Sequence, residues 1–235
     1  MPYTRFPPSI PPRGGRRNWV EELTLPTRLE LYAHGLVERK IATYGFVVWD
    51  VGENRLLQEH GAIAAKGPEA TPLAAGYTAL IEGLGWLVRH GHRRRRIVAY
   101  SDNVLVCDQL SGGRPVHDGA QWQLVREGHR IVRLFSQLSL KSISEQVNDH
   151  AIGLAAGAYV AAQEEQRLQR VPAVLRELRR ARPDIYLVGD RYQVDLAAGT
   201  CTCPDFRTMH SEQYPIRCKH LLAALQQRSS PAPDS

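Results

Sequence analysis

The chain has 235 residues, 43% of them apolar, and a formal net charge of +6. That length allows one full hydrophobic core and a small satellite unit. No apolar run approaches the roughly 20 residues of a membrane-spanning helix, and prolines and arginines stand where a secretory leader needs an apolar stretch, so we expect a cytoplasmic protein with no membrane partner. Of the thirty basic residues, twenty-six are Arg, whose planar guanidinium forks onto phosphate and stacks on bases, which makes nucleic acid a natural partner. A GC-rich genome would give the same Arg-over-Lys ratio, so the clustering of the arginines is the better indicator.

Residues 1–27 place Pro7, Pro8, Pro11 and Pro12 ahead of Arg13, Arg16 and Arg17. Nothing there can bury a core, and a disordered Pro/Arg-rich arm is expected, either touching phosphates or simply solvated. A sheet begins near Arg28, where Leu29, Leu31 and Ala33 alternate with Glu30, Tyr32 and His34. Strands at about 43–49 and 55–64 flank a hairpin loop at 50–54. Thr71 and Pro72 then read as N-cap and first residue of a helix, with Leu73, Tyr77, Leu80, Ile81, Leu84, Leu87 and Val88 at helical spacing. Gly76, Gly83 and Gly85 each cost that helix about 1 kcal/mol against Ala, and they let another backbone come close.

The run His90-Gly91-His92 and Arg93, Arg94, Arg95 and Arg96 leads into a fourth strand at 97–100, which ends in Ser101-Asp102. A short helix at 103–110, a loop at 111–118, a helix at 120–137, a strand at 138–144 and a helix at 148–162 follow. Cys107 sits in an apolar run and is expected in the core. Residues 163–183 are expected to form a helical linker kinked or restarted at Pro172, with Val171, Val174, Leu175 and Leu178 on one side. Its arginines form either a phosphate-binding face or a salt-bridged surface with Glu164, Glu165 and Glu177.

This order of elements resembles the ribonuclease H fold in its type I, reverse-transcriptase-like branch, over residues 28–162. The stretches LYAHG, ATPLAAGYTALIEGL, VAYSDNVLVCDQLSG and VNDHAIGLAAGAY are similar to that family's first strand, first helix, fourth strand with second helix, and last helix. The resemblance implies an α/β domain with a mixed five-stranded sheet. It also implies four carboxylates holding two Mg²⁺ ions, a hard cation that takes oxygen ligands. Carried over one at a time, those positions fall on His34, Gly76, Asp102 and Ile152. Only Asp102 matches. One carboxylate does not hold two divalent cations, so the expected domain is a non-catalytic one. The alternative is a divergent nuclease using Mg²⁺ or Mn²⁺, with Asp149, Asp50 or Glu82 recruited. Two structural roles stay open for Asp102: a helix cap, or a hydrogen bond to His34.

Three of the four cysteines fall in one stretch: Cys201-Thr202-Cys203, fourteen residues, then Cys218-Lys219-His220. Three thiolates and an imidazole suit tetrahedral Zn²⁺. The CxC and CxH pairs with their flanks, YQVDLAAGTCTCPDF and CKHLLAAL, resemble the SWIM zinc finger, expected over residues 184–228 ahead of a disordered tail at 229–235. We expect a ββα unit with a hairpin turning at Gly189-Asp190 and a closing helix, folded by a structural zinc held by Cys201, Cys203, Cys218 and His220. His210 is the one rival ligand. The resemblance implies binding to DNA or to protein. Arg207, Arg217 and Lys219, with the run 93–96, are the candidate contacts to DNA or an RNA–DNA hybrid. The expected function is nucleic-acid binding with low sequence preference, in DNA repair, replication or RNA–DNA metabolism; a protein-interaction scaffold is a further alternative.

Overall fold

The computed structural model describes residues 28–115, 119 and 122–229. The expected arm at 1–27, most of the tail at 229–235, and parts of the loop and helix expected around 116–121 lie outside the described residues. The chain divides into two compact units, residues 1–154 and 155–235.

In unit 1, β1 (Leu29–Glu38), β2 (Ile41–Asp50) and β3 (Arg55–Lys66) form an antiparallel meander. The strand β4 (Ile97–Ser101) adds parallel to β1, and β5 (Leu138–Ser142) adds parallel to β4. The sheet order is β3-β2-β1-β4-β5. The alternation in β1 is resolved as read: Leu29, Leu31 and Ala33 are fully buried in the main core. The strand runs on through Gly35 to Glu38, because a glycine there meets a helix backbone and not a turn. The β2–β3 loop closes on Asp50, whose Oδ1 accepts from the backbone N–H of Gly52 and Glu53.

Helix α1 (Pro72–Arg89) starts as expected, with Thr71 Oγ1 accepting from Ala74 N at 3.1 Å. Its Tyr77, Leu80, Leu84 and Leu87 are fully buried against β1. Each such side chain contributes about 1.5–3 kcal/mol on burial. The close backbone approach expected of the α1 glycines is made by Gly35 of β1: a Cβ there would lie 2.5 Å from the Ala75 carbonyl carbon, whereas Gly83 faces the Leu31 side chain, Gly76 those of Asn103 and Val106, and Gly85 that of Arg89. Strand and helix are therefore in contact at backbone distance.

Helix α2 (Val104–Leu110) is capped by Asn103, whose Oδ1 accepts from Val106 N. Cys107 is buried beside it, and burial pushes its thiol up to about 11. Helix α3 (Trp122–Val132) ends five residues earlier than the spacing predicts. Leu134 N and Phe135 N bond back three residues, tightening the last turn so that the chain can enter β5. Helix α4 (Asp149–Leu168) is longer than expected and carries the boundary between the units.

The helix expected across 163–183 is only partly present. Helix α4 ends at Leu168, α5 (Val171–Leu175) restarts with Pro172 in its first turn, and Leu178–Arg182 is a strand, β6. Leu178 is buried, and the arginines after it are exposed on a strand that pairs with β7 (Ile185–Val188). That hairpin pairing overrides the helical preference of Leu and Arg. The sheet continues through β8 (Tyr192–Asp195) to β9 (Thr200–Cys201). The β7–β8 turn falls at Gly189, with φ +54°. Helices α6 (Pro204–Met209) and α7 (Lys219–Ser229) complete unit 2. The finger is thus built on a four-stranded sheet, two strands more than a ββα unit has. Among the described residues, no helix is long and apolar enough to cross a membrane.

Candidate functional site

The metal centre grows out of two helix starts and a strand end. Cys201 closes β9, Cys203 caps α6, and Cys218 and His220 open α7. Cys203 Sγ accepts from Phe206 N at 3.3 Å, and Cys218 Sγ accepts from Leu221 N at 3.5 Å. A thiolate at a helix N-terminus is favoured by those N–H groups and by the helix dipole.

All four residues are buried, and their donor atoms lie within 4.8 Å of one another. A tetrahedral zinc with bonds near 2.3 Å to sulfur places donors about 3.8 Å apart. Cys201 Sγ and His220 Nδ1 are 3.7 Å apart, so the cluster fits such an ion. Tyr192 stacks on the His220 ring with centroids 4.9 Å apart, which fixes the plane of the imidazole.

The Cys201 thiol donates to Cys218 and holds it down near 4, while the same bond and burial push Cys201 upward. A metal that takes all three as thiolates displaces those protons. His210 is not in the cluster. Its Nδ1 faces the Ile216 carbonyl, and its ring stacks on Phe206 at 4.5 Å.

The second site is the end of the sheet at Asp102. In the parallel pairing of β1 and β4, Ala33 stands beside Ser101, so Asp102, just past the carboxyl end of β4, emerges beside His34 midway along β1. His34 Nδ1 lies 2.6 Å from Asp102 Oδ2, with both side chains about nine-tenths buried. Asn148, just before α4, donates to the Ala33 carbonyl at 3.0 Å and to Asp102 Oδ1 at 3.5 Å. Of the two roles open for Asp102, the geometry gives the hydrogen bond, since Asn103 is the cap. Asn148 is the residue sequence reasoning missed; it stood in view only as the start of the last helix. Its Oδ1 is buried with no hydrogen-bond partner.

Gly76 also reaches this site: a Cβ there would lie 3.2 Å from Asn103 Nδ2. Ile152 follows one turn after Asn148 on α4 and is half-buried. The alternative carboxylates are occupied elsewhere. Asp50 binds Arg95 at 3.1 Å, and the Arg95 bond with the Gly52 and Glu53 amides outweighs burial to hold it below the usual range. Glu82 is 3.8 Å from Arg89, and exposed Asp149 accepts from the amide of His150. Among the described residues, the zinc cluster is the one group of three or more His, Cys, Asp or Glu donors close enough to hold a metal.

The candidate nucleic-acid contacts are dispersed. Arg93, Arg94 and Arg96 are exposed, whereas Arg95 is tied to Asp50. All four precede β4 and so lie at the end of the sheet opposite Asp102, about 20 Å from it at 3.3 Å per residue. They do not flank the His34–Asp102 pair. In unit 2, Arg207 is exposed and Lys219 half-buried. Arg217 is clamped by Glu164, which accepts from its backbone N–H, Nε and Nη2. Arg167 is likewise held bidentate by Asp205, at 3.0 and 2.9 Å.

The reverse transcriptase-like family model matches residues 34–158, and the SWIM zinc finger model matches residues 192–229. Among solved structures, the chain is similar to the N-terminal RNase H domain of a Mycobacterium tuberculosis protein, at 25% identity and a TM-score of 0.54, covering 60% of this chain and 99% of that one. It is similar to RNase H1 of the archaeon Halobacterium salinarum, at 24% identity and a TM-score of 0.50, covering 56% and 97%. It is also similar to LC11-RNase H1, solved in complex with an RNA/DNA hybrid, at 22% identity and a TM-score of 0.52, covering 57% and 98%. No curated protein matches. The matched span takes in the second half of β1, all of α1 and β4 and the first half of α4, with His34, Gly76, Asp102 and Asn148 all inside it, and the chain belongs to the reverse transcriptase-like family, with a ribonuclease H-like fold followed by a SWIM zinc finger.

Proposed function

We propose that this protein binds nucleic acid through its backbone with little sequence preference, and that its ribonuclease H-like unit does not cleave. The observation that carries the second half is the content of the site: His34, Gly76, Asp102 and Ile152 stand where the family's carboxylates would, and the one remaining carboxylate is bonded to His34 and Asn148. Two Mg²⁺ ions need more oxygen ligands than that. The binding half is supported by the net charge of +6 and by LC11-RNase H1, a structure of similar fold held on an RNA/DNA hybrid. Zinc in the Cys201–Cys203–Cys218–His220 cluster is structural: four protein donors complete its tetrahedron, leaving no open position for a substrate. A role in DNA repair, replication or RNA–DNA metabolism, in the cytoplasm, follows from the same reading.

A divergent nuclease is the second reading, favoured by the unpartnered Oδ1 of Asn148 beside Asp102. One assay separates them. The purified protein is incubated with a labelled RNA–DNA hybrid and Mg²⁺ or Mn²⁺, and binding and cleavage are followed together. Binding without product is expected. Turnover that disappears in Asp102→Asn would establish the nuclease instead.

A further inference from the structure

An arginine cluster lies at the amino-terminal end of β4. Among the described residues, the acids Glu30, Asp50 and Glu53 at that end each already hold an arginine: Arg28, Arg95 and Arg55. Arg93, Arg94 and Arg96 are left over. They are exposed, and their guanidinium groups make no ion pair or side-chain hydrogen bond among the described residues.

Beside them a shallow groove of about 240 Å³ runs along the edge of the sheet, lined by Arg96, Ser136, Ser139 and Lys141 among others. In the β4–β5 register Ser139 stands beside Val98 and Lys141 beside Tyr100, so the hydroxyl and the ammonium follow Arg96 along one face. Strand β5 ends the sheet order, so among the described residues one side of its backbone has no strand partner. Two cations and the Ser139 hydroxyl in a shallow open groove match a phosphodiester chain, which is held by Arg, Lys and Ser.

The segment that carries the arginines is also fixed in place. Ser136 N donates to the Arg93 carbonyl at 3.2 Å, Arg95 N to His92 O at 3.0 Å, and Ile97 N to Gln137 O at 2.8 Å. A pre-ordered loop loses less entropy on binding. The opposite end of the sheet holds Asp102 with exposed Glu145 and Asp149 nearby, which repel phosphate when no divalent cation is bound.

We infer that unit 1 holds the nucleic-acid backbone along the edge of the sheet, from the arginines ahead of β4 to Lys141 near the carboxyl end of β5, and not across the His34–Asp102 pair. This rests on the nucleic-acid reading above. The test uses the zinc-loaded full chain and a fluorescein-labelled RNA–DNA hybrid of about 20 base pairs, with anisotropy titrations at several salt concentrations. The triple variant Arg93→Gln/Arg94→Gln/Arg96→Gln is expected to bind at least tenfold more weakly at 0.1 M salt, and to lose about 2 to 3 from the slope of log K against log[salt]. Lys141→Gln alone is expected to lose about 1 from the slope. Circular dichroism checks folding, and if the triple variant does not fold, the single variants Arg96→Gln and Lys141→Gln carry the same test. Steep salt dependence retained in every variant would place the contact elsewhere and overturn the inference while leaving nucleic-acid binding intact. A parent protein without salt-dependent binding would overturn both.

Discussion

The zinc cluster and the sheet end at Asp102 are built from the same kinds of side chain, yet they stand in different relations to the fold around them. In unit 2 the ligands are the centre of the core: Cys201, Cys203 and Cys218 are buried with Val194, Tyr186 and Leu221 packed around them. In unit 1 the core is Leu31, Tyr77, Leu80, Leu84 and their neighbours, and His34, Asp102 and Asn148 are not members of it. A ligand cannot leave the first site without taking the unit's packing with it. The second site lies beside its core, so side chains there can change while the sheet keeps its order. Where site and core are the same residues, losing one loses the other; where they are separate, the fold does not depend on the site.

The largest effect expected from this contrast is on metal removal. Structural zinc supplies on the order of 10–16 kcal/mol to isolated finger peptides near neutral pH. Chelation, or Cys218→Ser, is expected to unfold unit 2 and leave unit 1 folded. Hydrogen exchange resolved by peptide checks this: protection should vanish across β7, β8 and α7 and persist across β1, β4 and α1. Uniform protection after chelation would mean that apolar packing alone holds the finger, and the contrast would fail.

Unit 1 should break at its core contacts and be indifferent at its exposed positions. Gly35→Ala drives a methyl into the backbone of α1 at Ala75 and Gly76, where neither side can give. Overpacking of that kind costs about 1–3 kcal/mol, and the upper end is expected here. Gly153→Ala meets nothing within 4 Å and lies inside α4, so it should stabilise by about 0.5–1 kcal/mol. Denaturant midpoints of unit 1 in the two variants test the pair.

Asp102→Ala is expected to fall between these. It removes the acceptor of His34 and one acceptor of Asn148, both buried, at a cost of about 2 kcal/mol. Nucleic-acid binding should be unchanged, because the arginine cluster lies at the other end of the sheet. A loss of binding with stability intact would return the contact to the His34–Asp102 pair.

Which of these features are legible in the sequence follows from the range of the interactions involved. The CxC and CxH pairs name four ligands that the fold brings together, since two of each lie within three residues and only one long closure is needed. Thr71, Pro72 and the alternation in β1 are local signals, and they place α1 and the sheet. The glycines of α1 do not report the backbone approach, which is made by Gly35 of β1 while Gly76, Gly83 and Gly85 face side chains. Strand β6 is not legible: Leu178, Arg179 and Arg180 carry one apolar side chain, and pairing with Val188, Leu187 and Tyr186 decides the conformation. Nor are the partners of Arg217 and Arg167, which lie 53 and 38 residues away along the chain. The arginine run before β4 was readable in part, because its place ahead of the strand and that of Asp102 after it already put them at opposite ends.

The smallest effect concerns the Arg217–Glu164 pair, and it tests whether unit 2 has any support besides its metal. Burial raises the Glu164 carboxyl, but its bonds to the side chain and amide of Arg217 outweigh that and hold it below the usual carboxylate range. A depressed carboxyl contributes stability above its unfolded value, roughly 4.3, and loses it as pH falls through the lower folded one. With Arg217 half exposed the contribution is screened, and about 1 kcal/mol of coupling is expected in a Glu164→Gln/Arg217→Gln cycle at pH 7. That coupling should persist unchanged down to about pH 5. Zinc must leave first on acidification, because three thiolates compete with protons for their lone pairs. Coupling that disappears by pH 6 with zinc still bound would mean that Glu164 is not held low, and that the metal alone organises the unit.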